Sequence, residues 1–376
     1  MKHRGIGIRG AIIALSALIG ATGIAGATAA RAEAETPGEV LQAGVTKMRS
    51  DNNLPGVIGM VRNGDSVEYA HAGWGDMFMR VPADPKAKFR IGSNTKQFTS
   101  TVLLQLEAEH KLSLDDTVDR WLPGVVNKNG NDGKNITIRQ LLNHTSRLPD
   151  YISDAGFRAA YIADLNNSQH WDPQKLVDIA TSKPPLDKFG YSNTNYILAG
   201  MVIKAVTGND PATEVKNRII DPLGLTNTTF PTDDPKLYGN WLHGYEWVRD
   251  ISFSNVSAFG PAGAIVSTVD DLADFDRALF SGKLLPPAQQ QELETVGGFT
   301  NYALGVGRVD TKKCGEVYTH TGEVLGYAST WISSADGQRQ VVVADNEYHV
   351  SLVTDNEPGV TAQWNTAVDA YCATRQ

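Results

Sequence analysis

Hydrophobic and polar positions change period along this chain, from twos near one end to threes and fours through the middle and back to twos. In "PGVIGMVRNGDSVEYAHAGWG" the runs Val57 to Arg62 and Ser66 to Ala72 are strand-like, and Asn63-Gly64 supplies the positive φ angles of a tight turn, so a β-hairpin is predicted. After Ser93 the spacing lengthens. Phe98, Val102 and Leu106 stand four apart with Leu103 beside them, the signature of a helix pressed into a core, which puts Ser93 at its N-terminus. From there to about residue 255 the texture is helical and loop-rich, as in "IRQLLNH" and in "NYILAGMVIKAVTGND", stopped by Gly208. "GAIVSTVDDLADFDRALFSG" gives a buried strand-like run, a Thr268-to-Asp271 capping box and an amphipathic helix. A second hairpin, "YASTWISSADGQRQVVVADN", turns at Asp336-Gly337. "TAQWNTAVDAYCATRQ" follows as a helix with Trp364, Val368 and Tyr371 facing one way. The predicted class is α/β (α+β): one antiparallel sheet built from N- and C-terminal segments and flanked by helices, with an all-helical subdomain inserted over about 105–255. Such a layout leaves a cleft between its halves, where sites commonly form.

Composition changes the picture at the front of the chain. A basic start (Lys2, Arg4, Arg9), an uncharged stretch from Ala11 to Ala30 and small residues at Ala30, Ala32 and Ala34 follow the grammar of an export signal. Glycines and threonines dilute that stretch below what a retained membrane anchor needs. We therefore expect a signal peptide over residues 1–32 and a single catalytic domain over 33–376.

 A monomer is the expectation, and export implies a secreted location. The full chain carries a net charge of −8, and loss of the leader would take it to roughly −12, a balance that argues against nucleic acid or anionic lipid as partner. No cofactor is implied, and the chain has neither a His-Glu-x-x-His motif nor closely spaced cysteines, so no metal site is expected. The two cysteines, Cys314 and Cys372, either form one disulfide, worth about 4 kcal/mol in the chain-entropy account, or remain as buried thiols.

Three short clusters carry the candidate chemistry. Ser93 and Lys96 in "RIGSNTKQFTS" have the spacing of a nucleophilic serine and a lysine one helical turn on. Tyr191-Ser192-Asn193 lies in "FGYSNTNY", and His320-Thr321-Gly322 lies in "YTHTGEVLGY" just before the final hairpin. A serine hydroxyl is a poor nucleophile near neutral pH and needs a base within hydrogen-bond reach, which is why these residue types belong together.

In this order, and with "TVLLQLEAEHKLSLDD", "ITIRQLLNHTSRLPDY", "DPLGLTNTTF" and "GPAGAIVSTVDDLADF" around them, the clusters resemble those of the serine β-lactamase and penicillin-binding superfamily. The resemblance covers nearly the whole chain after the leader and is nearest to the soluble DD-carboxypeptidases, which share His-Thr-Gly where β-lactamases carry Lys-Thr-Gly. It implies a β-lactamase/transpeptidase-like fold, an acyl-enzyme on Ser93, and a peptide or β-lactam substrate. Tyr191 is then the general acid/base beside Lys96 and His320, and Asn193 bonds Lys96 and the substrate amide. The oxyanion donors are the backbone N–H groups of Ser93 and Glu323. Cysteines at corresponding places in those enzymes imply a Cys314–Cys372 disulfide.

Substrate binding is implied for Thr321, Gly322, Glu323 and Arg308, with a departure at Glu323. A second threonine usually follows His-Thr-Gly and helps an arginine, here Arg308, hold the carboxylate of a terminal D-alanine. Glu323 replaces it and should repel that carboxylate unless paired with Arg308. Leu325 replaces a usual glutamine, Arg147 a usual glycine, and Phe259 stands where an aromatic is expected before "PAGA". The leading expectation is a penicillin-sensitive D-Ala-D-Ala carboxypeptidase/transpeptidase acting on peptidoglycan-like peptides; the alternative is a hydrolase of D-amino-acid amides, esters or D-aminopeptides lacking a free carboxylate, with a β-lactamase or a non-catalytic penicillin-binding sensor ranked below both. His144 is expected to be a structural loop histidine.

Overall fold

In the structure, a computed structural model, the described residues are 35–163, 168–297, 301–349 and 358–375; the leader expected over residues 1–32 lies outside them. Seven strands form the main sheet: β1 (Gly56–Asn63), β2 (Ser66–Asp76), β3 (Val81–Pro82), β4 (Gly307–Asp310), β5 (Glu316–Val324), β6 (Tyr327–Ser333) and β7 (Arg339–Asp345). Their order is β3-β2-β1-β7-β6-β5-β4, every neighbouring pair antiparallel. The N-terminal hairpin thus joins the C-terminal meander where β1 meets β7, with Val57 opposite Asp345.

Both expected hairpins form. Each turn uses one positive φ, at Gly64 (62°) and Gly337 (69°), and Asn63 instead ends β1 with an ordinary strand conformation. The central strands β1, β6 and β7 are buried on both faces, so they read as near-continuous apolar runs such as Val341 to Ala344. On one face lie helices α1 (Pro37–Asn52) and α5 (Pro358–Ala373), whose Leu41, Val45, Val368 and Tyr371 are buried against Val57 and Ile332. Cys314 and Cys372 are bonded, tying the β4–β5 turn to α5.

On the other face lie α2 (Thr95–Ala108), α3 (Asn193–Thr207) and α4 (Val269–Phe280) with the larger core. Phe98, Val102 and Leu106 on α2 are completely buried, and Phe98 stacks on Phe275 of α4 at 3.7 Å between ring centroids. Thr268 caps α4 by accepting from the Asp271 N–H, the forward half of the expected box. Between α2 and residue 255 the described residues are helices and loops, apart from the two-residue strands Tyr245–Glu246 and Arg249–Asp250.

Candidate active site

The chain arrives at Ser93 through a single 3-10 turn, Gly92–Asn94, that runs straight into α2. This turn lies against β5 with almost no room to spare. A Cβ on Gly92 would come within 2.7 Å of the Glu323 backbone nitrogen, and one on Gly322 within 2.0 Å of the Ile91 carbonyl oxygen. Gly92 also has φ of 51°, where L side chains are strained. Pairing of β4 with β5 stops at Gly307 and Thr319, so beyond Thr319 that flank of β5 is left to face the turn.

Lys96, one helical turn after Ser93, is fully buried. Its Nζ lies 2.9 Å from Ser93 Oγ, 2.7 Å from Asn193 Oδ1 and 2.8 Å from the Ala262 carbonyl oxygen. Burial pushes the ammonium down to about 7, against the pull of Asp150 and Glu323. Two of the three partners are carbonyl oxygens, which can only accept. A neutral Lys96 therefore gives its two hydrogens to them and turns its lone pair to the Ser93 hydroxyl, the geometry of a general base.

Tyr191, beside the start of α3, has a buried hydroxyl with no well-formed hydrogen bond among the described residues. Burial raises its pKa well above that of a free phenol, although Ser93 pulls the other way. Lys96 Nζ stands 4.8 Å from its ring centroid. The phenol is thus the neutral partner and Lys96 the group that titrates near neutrality. Asn193 is pinned at both ends: its Nδ2 donates to Asp150 Oδ2 at 2.9 Å, which fixes Oδ1 toward Lys96.

His320, on β5, is within the cluster but does not bond Ser93 or Tyr191. Its Nδ1 meets the Thr321 carbonyl oxygen, and its Nε2 lies 2.7 Å from the Tyr302 hydroxyl. Burial and then the Lys96 charge hold it down at about 3, so it is a neutral ring and adds no cation beside Tyr191.

Above these groups is a cleft of about 440 Å³ lined by Ser93, Asp150, Tyr191, Asn193 and Glu323, with Phe157, Tyr161 and Phe259 forming an aromatic wall. Both carboxyls are pushed up by burial; backbone and Asn193 hydrogen bonds oppose this at Asp150, and Thr321 and Lys96 oppose it at Glu323. Arg158 lines the same cleft and donates from Nε to the Ile152 carbonyl at 2.6 Å.

The structure therefore gathers Ser93, Lys96, Tyr191, Asn193 and His320, with Thr321, Gly322 and Glu323 on the adjoining strand. Arg308 is not among them. It sits on edge strand β4 opposite Tyr318, and its Nη2 pairs with Glu316 at 2.7 Å, so its charge is spent at the sheet edge rather than in the cleft. Asp150 lay unassigned inside the tract "HTSRLPDY", whose charged residue between proline and tyrosine was the available signal. Tyr302 gave no sequence signal. His144, buried with φ of 60°, lies tilted against the Tyr191 ring at 4.2 Å and accepts at Nδ1 from the Ser192 N–H, so this loop histidine supports the site. Arg147, in place of glycine, keeps the left-handed φ of 64°.

A cleft-lining serine paired with a buried lysine at a helix start, faced by a strand and flanked by a tyrosine, defines a serine hydrolase of the β-lactamase and penicillin-binding type. The chain belongs to the β-lactamase family, whose profile matches residues 38–358. It is 25% identical over 315 residues to Penicillin-binding protein 4* of Bacillus subtilis, spanning 77% of this chain and 67% of that protein. Protein flp of Staphylococcus aureus is 34% identical over 196 residues, 52% of this chain and 38% of that one. Among solved structures, a D-stereospecific amidohydrolase from Streptomyces sp. is 36% identical, with a TM-score of 0.77 over 82% of this chain and 94% of that one. The D-amino acid amidase of Ochrobactrum anthropi SV3 shares the fold, with a TM-score of 0.77 at 24% identity, covering 90% of this chain and 99% of that one. No described helix is long and apolar enough to cross a membrane.

Proposed function

We propose that this chain is a D-stereospecific amidohydrolase acting on D-amino-acid amides, esters or short D-peptides that present a free α-ammonium group and an apolar or aromatic side chain. The observation that carries this reading is the charge of the cleft: Asp150 and Glu323 face it with Ser93, while Arg308 is paired with Glu316 outside it. Buried carboxyls favour a cationic substrate group and disfavour the carboxylate of a terminal D-alanine. The aromatic wall of Phe157, Tyr161 and Phe259 suits an apolar side chain. The 36% identity to a D-stereospecific amidohydrolase supports the same choice.

The chemistry proceeds through Ser93. Neutral Lys96 takes the hydroxyl proton as Oγ bonds the substrate carbonyl carbon, and the backbone N–H groups of Ser93 and Glu323 hold the oxyanion. Tyr191 gives its proton to the leaving nitrogen as the carbon–nitrogen bond breaks, and recovers one from Lys96. Water then attacks the ester by the reverse route, releasing the acid and free Ser93.

A second reading, a penicillin-sensitive D-Ala-D-Ala carboxypeptidase/transpeptidase acting on peptidoglycan-like peptides, is favoured by the 25% identity to Penicillin-binding protein 4* of Bacillus subtilis. β-Lactamase activity ranks lower because His320 stands where those enzymes carry lysine, and a non-catalytic penicillin-binding sensor ranks below it. One comparison separates the two leading readings: turnover of D-Ala-D-Ala peptides as free acid and as amide. The amide is expected to be turned over at least tenfold faster, with Glu323→Gln narrowing the gap; preference for the free acid selects the carboxypeptidase. Export belongs to the proposal, with a leader over 1–32 ahead of one catalytic domain over 33–376. Intact mass of the protein recovered outside the cell checks it.

A further inference from the structure

His320 occupies a motif position, yet both of its ring nitrogens are committed elsewhere than to Ser93. The Thr321 carbonyl can only accept, so Nδ1 carries the hydrogen. A neutral ring then has an acceptor at Nε2, and the Tyr302 hydroxyl, 2.7 Å away, is the donor. Tyr302 is itself held firmly: its backbone bridges to Gly307, and its ring stands edge-on to Tyr191 at 6.2 Å and tilted against His144 at 4.8 Å. The titratable groups around His320 are Lys96 from α2, Tyr191 and His144 from the loops, Tyr302, Tyr196 of α3 behind it, and Glu323 on the same strand. Lys96 is the cation among them. A second proton on His320 would need Nε2, forcing the Tyr302 hydroxyl to turn from donor to acceptor and setting an imidazolium beside Lys96 in a dry site.

From this geometry we infer that Tyr302 is a positioning residue that locks His320 as the neutral Nδ1–H tautomer, leaving Lys96 as the cation that titrates beside Ser93. The kinetic consequence rests on the hydrolase reading above, whereas the tautomer itself can be read without any substrate.

The test is nitrogen NMR of the full chain labelled at histidine, with the His320 signals assigned by their loss in His320→Gln. The wild type should show one Nδ1–H tautomer that does not titrate between pH 5 and 8. An Nε2–H tautomer, or a titration inside that window, overturns the inference. Tyr302→Phe should keep the hydrogen on Nδ1, which the Thr321 carbonyl sets, but free Nε2 to take a second proton and so bring the His320 titration into the window. For a D-amino-acid amide, kcat should fall about tenfold with KM within twofold. The acid limb of the rate profile should then report two protons instead of one. His320→Gln combined with Tyr302→Phe should be no slower than His320→Gln alone. A Tyr302→Phe variant whose His320 signals match the wild type refutes the lock, and because no substrate enters that measurement, it is independent of the proposed activity.

Discussion

Two cations six residues apart, Arg90 and Lys96, are both fully buried on either side of Ser93, and they do opposite things. Arg90 donates from Nη2 to the carbonyl oxygens of Pro235, Ser252 and Ser254, clamping two distant loops, while its Nε and Nη1 have no hydrogen-bond partner among the described residues. Lys96 has all three of its ammonium donors matched. Burial depresses both, yet a guanidinium keeps its proton and an amine gives it up. Burial alone therefore does not make a catalytic site. The same desolvation yields a fixed clamp at one position and a base at the other, and the side chain decides which.

Exchanging the two side-chain types tests that contrast most severely. Lys96→Arg keeps the charge and removes the titration, so acylation of Ser93 should slow about a thousandfold, read as the rate of covalent adduct formation by intact mass. A variant within tenfold of wild type would falsify the role of Lys96 as base. Arg90→Lys should act on stability instead. The shorter lysine side chain holds its ammonium back from the three carbonyls that Arg90 Nη2 reaches, so urea unfolding should show a loss of about 2–3 kcal/mol, with activity per folded molecule within threefold. A stable but inactive Arg90→Lys protein would erase the distinction.

The pH dependence sharpens it further. Lys96 works as a base only when neutral, so kcat/KM should fall about tenfold per pH unit below a midpoint near 7. The stability effect has the opposite origin and a defined sign. Because the folded pKa lies below that of a free lysine, the unfolded chain holds more protons between about pH 7 and 10. The wild type should therefore gain about 1.4 kcal/mol per pH unit over Lys96→Met in that window, measured by parallel urea titrations. Equal slopes for the two proteins would show that Lys96 is not depressed. The smallest effect concerns neither cation. Arg147→Gly should raise stability by about 0.5 kcal/mol, since relief of the left-handed backbone outweighs loss of the Arg147 Nε bond to the Leu186 carbonyl. A lower melting temperature would show that the bond matters more.

Most of the frame could be read from residue order. The Phe98, Val102 and Leu106 spacing gave α2, and Gly64 and Gly337 marked the turns of both hairpins, because these features depend on local sterics and one-sided burial. Ser93, Lys96, Tyr191 and Asn193 were legible as motifs and come together in space. Arg308 was not, since a place in the sequence says nothing of which partner its charge meets, and Glu316 on the next strand takes it. Asp150 and Tyr302 depend on contacts across the fold, 43 and 18 residues away in sequence, which no local pattern encodes.

The glycines at 92 and 322 set what mutation can reach. Any side chain at either place forces the serine turn and the strand apart, so single substitutions there destroy the close approach rather than adjust it. Glu323 is under no such restriction, because the group proposed to hold the oxyanion is its amide and not its carboxyl. A lineage drifting through sequence space can therefore trade one substrate for another at residue 323 without dismantling the catalyst, and a laboratory library confined to that codon would sample the same trade.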